Sequence, residues 1–420
     1  MSEHVRYVKH LTRPIASRLD HLDIELTERC NNDCIHCCIN TPANDAGARA
    51  REMTTEQVKN ILQQAAGLGC LQVRFTGGEP LLRPDLPELY LHARRLGMKV
   101  LLFTNARLIT PRLADLFARI PPLVTLEITV YGRHAESYDA VTRVPGSFAQ
   151  FWRGMNLLLE RKVPFVVKSA LLPPNEHEID EFEAWAQTIP WMTKSPGYSM
   201  FFDLRNRRDD ANKNRLIESV RLSPQDGLAM LARDEAEYRK GMAEFALKFM
   251  GPHGDQLFGC GAGDGLCVDA AGRAQPCMGM RAPELTYRVV GASGCLPLRD
   301  AMDQFSHLRV LRATNPDYLR RCARCFLKGL CEQCPAKSWA EHGTLDTPVE
   351  YLCDVAHAQA HYLGWLGGNE HGWEVMNWRE RVRQLSVAVA GNCSERSNSI
   401  VNARSEATHP PTGSGCTVTA

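Results

Sequence analysis

LDIELTERCNNDCIHCC, residues 22–38, is the stretch that decides the fold, because it joins a strand-like run to a polar loop with four cysteines. Cys30, Cys34 and Cys37 lie at spacings of four and three residues, and Cys38 follows Cys37 directly. Such a group is typical of a disulfide knot, a zinc site or a metal cluster that takes three thiolates. The rest of the sequence bears on this choice.

The composition is that of an ordinary globular protein. The 420 residues are enough for two or three domains, with 44% hydrophobic and 23% charged residues. A formal net charge of +1 gives no reason to expect nucleic acid or a membrane as a partner. No run approaches the roughly 18 apolar residues of a membrane span, and the N-terminus lacks a signal peptide's apolar block. We expect a cytoplasmic protein, in which clustered cysteines are more often metal ligands than disulfides.

The N-terminal half alternates strand-like and helix-like segments. Thr54 and Gln57 form a capping box at the start of a helix that ends at Gly67. Apolar periodicity predicts strands at 22–26, 71–75, 99–103, 125–130 and 165–172, and further helices near 85–96, 110–119, 148–162 and 177–189. After a polar stretch, one more helix is expected around 223–250. This alternation predicts an α/β fold with a parallel sheet or barrel.

Three polar segments begin where a predicted strand ends. They are the cysteine loop, TGGEP (76–80) and TNAR (104–107). Ligands of parallel α/β folds collect at the carboxyl ends of the strands. The sequence therefore predicts a functional site at this edge.

The chemistry of three loop cysteines distinguishes two kinds of metal site. A structural zinc site needs four ligands, and the fourth would be Cys38, His36 or a distant residue. Iron–sulfur clusters are also held by thiolates, usually four to a cubane. Three thiolates leave one iron open to bind and activate a second molecule.

The spacing Cys30-x3-Cys34-x2-Cys37 resembles the signature of the radical S-adenosylmethionine (SAM) enzymes. This resemblance implies a partial (β/α)6 TIM-like barrel and a [4Fe-4S] cluster whose open iron chelates SAM. In that family the reduced cluster cleaves SAM to methionine and a 5′-deoxyadenosyl radical, which abstracts hydrogen from the substrate. His36 precedes the third cysteine, where the family prefers an aromatic residue.

The other strand ends match the same family. Gly77, Gly78, Glu79 and Pro80 resemble its GGEP motif, which meets the SAM amino group. By the same resemblance, Thr129 is a candidate for the ribose hydroxyls, and Arg143 for the SAM carboxylate, a charge-assisted pair. The following residues are therefore the predicted SAM contacts: Gly77, Gly78, Glu79, Thr129 and Arg143.

A second cysteine group follows from residue 258 onward, in a region that reads as Cys- and Gly-rich loops. It resembles the SPASM extension of radical SAM enzymes, which implies two auxiliary [4Fe-4S] clusters. By resemblance the first takes Cys260, Cys267, Cys277 and Cys334, and the second takes Cys322, Cys325, Cys331 and Cys353. The SPASM aspartate of the sulfatase-maturing group is replaced by Met278, which cannot accept a proton.

The resemblance implies an organisation along the chain. We predict an N-terminal extension (1–20), a radical SAM core (21–250) and a SPASM domain (251–356). A helical segment (357–387) and a polar, disordered tail (388–420) follow.

The implied function is hydrogen abstraction from a peptide or protein. The implied partners are that substrate and a flavodoxin or ferredoxin as reductant. Since only 29 residues precede Cys30, we expect the peptide either to be brought by a separate leader-recognition protein or to bind directly near the barrel mouth. Two alternatives remain open at this point. One is tetrapyrrole or other small-cofactor biosynthesis by the same radical chemistry, and the other is a non-catalytic zinc-binding or redox-sensing protein.

Overall fold

The computed structural model describes residues 19–37, 39, 41–202, 204, 211–260, 262–291 and 293–384. Most of the predicted N-terminal extension, Cys38 and the predicted disordered tail lie outside these ranges.

The described strands and helices follow one another as the sequence predicts for the first half of the chain. The strands are β1 (His21–Thr27), β2 (Arg29–Cys30), β3 (Thr41–Pro42), β4 (Gln72–Gly77), β5 (Lys99–Thr104), β6 (Leu123–Val130), β7 (Phe165–Ala170), β8 (Gly197–Ser199), β9 (Gly265–Val268), β10 (Arg273–Gln275) and β11 (Tyr287–Arg288). The α-helices are α1 (Ala46–Arg51), α2 (Thr55–Gly67), α3 (Leu86–Arg95), α4 (Pro111–Arg119), α5 (Ala135–Thr142), α6 (Ser147–Glu160), α7 (Ile179–Gln187), α8 (Ala211–Val220), α9 (Pro224–Leu231), α10 (Glu235–Phe249), α11 (Leu298–Ser306), α12 (Pro316–Arg320), α13 (Pro335–His342) and α14 (Glu350–Tyr362).

The main sheet has the strand order β11-β10-β9-β1-β4-β5-β6-β7-β8. Its strands β1, β4, β5, β6, β7 and β8 are paired in parallel and in chain order. Helices follow β4, β5, β6 and β7, as right-handed crossovers between parallel strands require. Six parallel strands with their helices are a partial (β/α)6 barrel, so the predicted fold class is confirmed.

Helix α2 shows how local sequence fixes an element of this barrel. The Thr54 hydroxyl accepts a 3.2 Å hydrogen bond from the Gln57 amide, and the Gln57 side chain accepts one of 2.8 Å from the Thr54 amide. These bonds satisfy two backbone donors that a helix N-terminus otherwise leaves free. The helix then buries one apolar face in the core, formed by Val58, Ile61, Leu62 and Ala65.

The barrel strands have two different faces. Every second residue, such as Ile24, Phe75 and Leu102, is buried in the apolar core beneath the helices. The opposite side chains form what we call the inner face, and several of them are charged: Asp23, Glu25, Arg74, Glu127 and Lys168. The partial exposure of Arg74, Glu127 and Lys168 indicates an inner face that is open rather than filled with apolar side chains.

Two parts of the chain differ from the sequence-based expectation. The helix expected at 223–250 is two helices, α9 and α10, because the Asp234 side chain accepts a hydrogen bond from the Glu237 amide (3.0 Å) and caps a new helix. Within the Cys-rich region, β9 pairs in parallel with β1 and extends the barrel sheet. Four helices, α11 to α14, also lie in this region, where loops were expected.

The described residues fall into two compact units. The first contains the chain up to Ser223 together with Asp255–Leu319 and Gln333–Leu352. The second contains Pro224–Gly254, Arg320–Glu332 and the chain from Cys353 onward. None of the helices in the described ranges is long and apolar enough to cross a membrane.

Candidate functional site

The glycine turn after β4 is packed directly against the end of β1. Gly77 has a φ of +126°, and a Cβ at this residue would lie 2.2 Å from the Thr27 carbonyl oxygen. A Cβ on Gly78 would lie 2.2 Å from the Arg29 carbonyl oxygen. The Gly78 amide donates to the Thr27 carbonyl at 2.8 Å. The turn therefore needs glycine for close contact with the segment that carries the cysteine loop.

Glu79 is the buried acid of this turn. Its carboxylate accepts hydrogen bonds from the Leu81 amide (3.0 Å), the Thr104 hydroxyl (2.8 Å) and the Asn105 amide (2.8 Å). Burial raises the pKa of Glu79 to about 7, against the lowering effect of these bonds. Glu79 thereby joins the end of β4 to the end of β5.

Asn105 and Arg107 reach from the end of β5 to the cysteine loop. The side-chain nitrogen of Asn105, Nδ2, donates to Asn31 Oδ1 at 2.7 Å and lies 3.9 Å from Cys30 Sγ. The buried Arg107 guanidinium donates to the Asn31 carbonyl and to Asn32 Oδ1, and its Nη2 donates to Gln150 Oε1 at 2.7 Å. The sequence signalled the TNAR segment only by its place after a strand, and the anchoring role of Arg107 was missed.

The other side of the loop is held by the C-terminus of α5. The Asp33 and Ile35 amides donate to the carbonyls of Thr142 (2.9 Å) and Val141 (3.0 Å). Arg143 Nε donates to the Asp33 carbonyl at 2.9 Å, and its Nη2 contacts the Asp33 carboxylate. The structure thus brings Arg143 to the cysteine loop, and its contact with a SAM carboxylate stays a prediction.

The three loop cysteines form a set of thiols that influence one another. Cys34 is buried, and burial followed by the neighbouring Cys37 thiolate raises its pKa to about 12. Burial, and then Glu79, raise the pKa of Cys30 well above its usual value. Thiols in such surroundings become thiolates when a metal supplies the compensating positive charge. The donor set therefore fits a metal group.

Three thiols from one loop suit an iron–sulfur cubane, because a cubane binds each thiolate at a different iron and its ligands need not meet at one point.

His36 and Thr129 complete the predicted site. The His36 ring is packed against Tyr131 and Phe202, with ring centroids 5.6 and 5.1 Å apart. Burial lowers the pKa of His36 to about 4, so it serves as a neutral aromatic side chain where the family prefers one. Thr129 lies on the inner face of β6, partly exposed and in register with Lys168.

The eight cysteines of the second group are divided between the two compact units. Cys260, Cys267, Cys277 and Cys334 belong to the first unit, and Cys322, Cys325, Cys331 and Cys353 belong to the second. This division coincides with the two predicted ligand sets.

Within each unit, some of these thiols are electrostatic neighbours. The pKa of Cys334 is raised by burial and, to a smaller extent, by the Cys277 thiolate. In the second unit, burial raises the pKa of Cys325 to about 12, and the Cys353 thiolate adds to this effect. Arg321 Nη2 donates to Cys353 Sγ at 3.5 Å.

Comparison with known proteins gives a family match for part of the chain. Residues 24–186 match the family model "Radical SAM superfamily". The AdoMet-dependent heme synthase of Methanosarcina barkeri is 27% identical over 336 residues, which are 76% of this chain and 92% of that protein. A PqqA peptide cyclase of Streptomyces rochei is 48% identical over 96 residues, which are 23% of this chain and 26% of that protein.

A solved structure gives the same fold. The chain of anSMEcpe with bound AdoMet and the Cp18Cys peptide superimposes with a TM-score of 0.56 over 82% of this chain and 96% of its own, at 15% identity. The family match covers the part of the chain that carries the cysteine loop and the glycine turn, so the chain is an enzyme that contains a radical SAM domain.

Proposed function

We propose that the chain cleaves SAM reductively and uses the resulting 5′-deoxyadenosyl radical to abstract hydrogen from a peptide or protein. The observation that carries this proposal is the close packing of the cysteine loop against the GGEP turn and the end of β5. Cys30, Cys34 and Cys37 would hold a [4Fe-4S] cluster. Gly77, Gly78 and Glu79 would face the SAM amino group, Thr129 the ribose and Arg143 the carboxylate.

The electrons and atoms of the reaction balance with an external donor. Cys30, Cys34 and Cys37 would hold the cluster, and one electron supplied by a flavodoxin or ferredoxin would break the C5′–S bond of SAM and release methionine. The 5′-deoxyadenosyl radical would then take one hydrogen atom from the substrate, which would give 5′-deoxyadenosine and a substrate radical. The buried Arg107, Glu79 and Asn105 hold the loop in place for this step.

The two auxiliary [4Fe-4S] clusters are proposed for the same eight cysteines as above. Their division between the compact units supports one cluster in each unit. Four thiolates per cluster leave no open iron, so these clusters would accept or pass electrons rather than bind substrate. That role suits the removal of an electron from a substrate radical.

A peptide substrate is supported by the local similarity to PqqA peptide cyclases, at 48% identity. The test uses reconstituted enzyme with SAM, dithionite and each short peptide encoded beside its gene. The proposal expects 5′-deoxyadenosine in amounts that rise with one peptide, and a mass change on that peptide. Formation of 5′-deoxyadenosine without any peptide mass change would reject the peptide substrate while leaving the radical chemistry in place.

A tetrapyrrole substrate is the second candidate, because the similarity to an AdoMet-dependent heme synthase extends over 92% of that protein. The same assay with iron coproporphyrin III, a propionate-bearing tetrapyrrole, separates the two candidates. A mass change on the tetrapyrrole, and none on the peptides, would favour this second function.

A further inference from the structure

The inner face of the barrel carries a charged network around one aromatic ring. Lys168 Nζ lies 3.9 Å from the centroid of the Phe103 ring, and Arg74 Cζ lies 4.9 Å from it. Each cation also has an acidic partner on the inner face. Arg74 Nη1 lies 3.3 Å from Asp23 Oδ2, and Lys168 forms an ion pair with Glu127.

Such a network is not what a structural barrel core needs. The interior of a closed TIM barrel is filled by layers of branched apolar side chains. Charges inside a protein cost free energy unless they are fully paired, so an incompletely paired set needs another reason. Here the charges come from four different strands: β1, β4, β6 and β7.

The cations are the members of this network that are open to a ligand. The side chains of Arg74 and Lys168 are 26% and 32% exposed, whereas those of their partners Asp23 and Glu127 are 7% and 21% exposed. In each pair the acid is therefore less accessible than the cation, and its ion pair holds the cation in place.

Both cations have unused hydrogen-bond donors. Among the described residues, the partly exposed Arg74 guanidinium has one carboxylate partner, Asp23, for a group with five N–H donors. Within the same residues, Lys168 has one carboxylate partner, Glu127, for an ammonium group with three donors. Because both cations lie within 5 Å of the centroid of one ring, an anionic group bound beside Phe103 would lie close to at least one of them.

We propose that Arg74 and Lys168 form a carboxylate-binding subsite for the substrate on the inner face of the barrel. This inference rests on the proposed function, since it concerns the substrate of that reaction. The shared chemistry is a carboxylate, which an acidic peptide side chain and a tetrapyrrole propionate both provide. Phe103 offers its ring to the carbon skeleton that bears the carboxylate.

A second ion pair limits the subsite on the side of β1. Arg281 Nη2 donates to Glu25 Oε1 at 2.7 Å, and the two side chains are 10% and 3% exposed. This pair is much less accessible than Arg74 and Lys168, so it is structural and is not part of the subsite.

The test measures binding of matched acidic and neutral probes to the reconstituted full chain with SAM bound. One pair is coproporphyrin III and its tetramethyl ester, and the other is Ac-Gly-Glu-Gly-NH2 and Ac-Gly-Gln-Gly-NH2. We expect one acidic probe to bind more tightly than its neutral counterpart, and the pair that responds identifies the source of the carboxylate. Equal binding within both pairs would overturn the proposal.

Substitution of Lys168, with a matched control, tests whether this cation binds the carboxylate. Lys168→Gln should weaken the responding acidic probe by about tenfold or more, because one charged hydrogen bond is lost. Lys99→Gln, an exposed lysine at the start of β5, is the matched control and should bind that probe like wild type. Should Lys168→Gln fail to fold, the double variant Glu127→Gln/Lys168→Gln removes the pair without leaving an unpaired charge. An unchanged affinity in these variants would also overturn the proposal.

The proposed function is tested separately in the wild-type enzyme. Formation of 5′-deoxyadenosine from SAM and dithionite alone shows whether the radical chemistry operates. A positive result there, together with equal binding of all probes, would reject the carboxylate subsite and retain the function.

Discussion

The backbone amide of Glu79 donates a 2.9 Å hydrogen bond to the carbonyl of Arg29. The glycine turn after β4 is thereby attached to the residue that directly precedes Cys30. Since Gly77 and Gly78 have no space for a Cβ on this side, the turn and the cysteine loop form one rigid edge of the barrel. Such a rigid connection would keep the proposed SAM contacts of the turn in a fixed place relative to the loop cysteines.

Substitution of Gly78 tests this close packing. Gly78→Ala places a Cβ within 2.2 Å of the Arg29 carbonyl oxygen, so the turn or the loop has to move. Relief of this overlap requires a shift of about 1 Å, and a misplacement of about 1 Å can lower the rate at a reacting centre about 100-fold. We expect such a loss in the initial rate of 5′-deoxyadenosine formation, measured by chromatography with SAM and dithionite.

Gly67→Ala is the control for this experiment. Gly67 lies in α2, and nothing is within 4 Å of the position that a Cβ would take. This variant should cleave SAM at the wild-type rate. Equal rates in both variants would show that the close contact at Gly78 has no role in the chemistry.

The anchor provided by Arg107 predicts a loss of stability. Arg107→Gln removes a buried guanidinium that donates to the Asn31 carbonyl, Asn32 and Gln150. Hydrogen bonds to charged groups contribute about 1.5–3 kcal/mol each, and we expect the free energy of unfolding to fall by about 3 kcal/mol. Denaturant unfolding of the iron-free protein measures this change without interference from the cluster.

Arg119→Gln serves as the matched arginine control. Arg119 is exposed at the end of α4, and surface substitutions of this kind change stability by about 0.5 kcal/mol or less. Arg107→Lys should fall between the two, because it keeps the charge but loses the planar fork. A wild-type unfolding curve for Arg107→Gln would show that Arg107 does not anchor the cysteine loop.

The ligand sets of the auxiliary clusters predict a pattern in iron content. Three four-iron clusters correspond to about twelve irons per chain. Cys277→Ala and Cys325→Ala should each reduce this to about eight, because each breaks one cluster. Anaerobic iron and sulfide analysis after reconstitution measures the content.

Double variants distinguish the two sets. Cys325→Ala/Cys353→Ala affects a single cluster and should stay at about eight irons, whereas Cys277→Ala/Cys325→Ala should fall to about four. About four irons in Cys325→Ala/Cys353→Ala and about eight in Cys277→Ala/Cys325→Ala would contradict the proposed ligand sets. Cys325 would then share a cluster with Cys277 and not with Cys353.

Much of the barrel was predictable because its signals are local. The capping box of Thr54 and Gln57 and the apolar runs of β1, β4, β5, β6 and β7 occur where the sequence indicated them. The spacing of Cys30, Cys34 and Cys37 likewise indicated the kind of site, since these residues are neighbours in the chain.

Other features depend on contacts between distant residues. β9 is only four residues long, and its assignment to the barrel sheet comes from pairing with β1, more than 200 residues earlier in the chain. The hydrogen bond from Arg107 to the Asn31 carbonyl also connects segments that are far apart in sequence. No local pattern encodes such contacts.

The charged inner face is indicated by the sequence of two strands. LDIEL and TLEIT alternate apolar and acidic residues, whereas parallel strands covered on both faces are apolar throughout. Asp23, Glu25 and Glu127 therefore indicated a polar inner face. The partners of Asp23 and Glu127, which are Arg74 and Lys168, became evident only from the register of the strands.

The most direct test of the account compares Cys34→Ala with Cys70→Ala in oxygen-free, reconstituted protein supplied with SAM and dithionite. Cys34 is a proposed ligand, whereas Cys70 is a buried core thiol whose Sγ contacts the Gln72 carbonyl. The account predicts that Cys34→Ala loses about four irons and all 5′-deoxyadenosine formation, while Cys70→Ala keeps both. Formation of 5′-deoxyadenosine by Cys34→Ala at the rate of Cys70→Ala would contradict it.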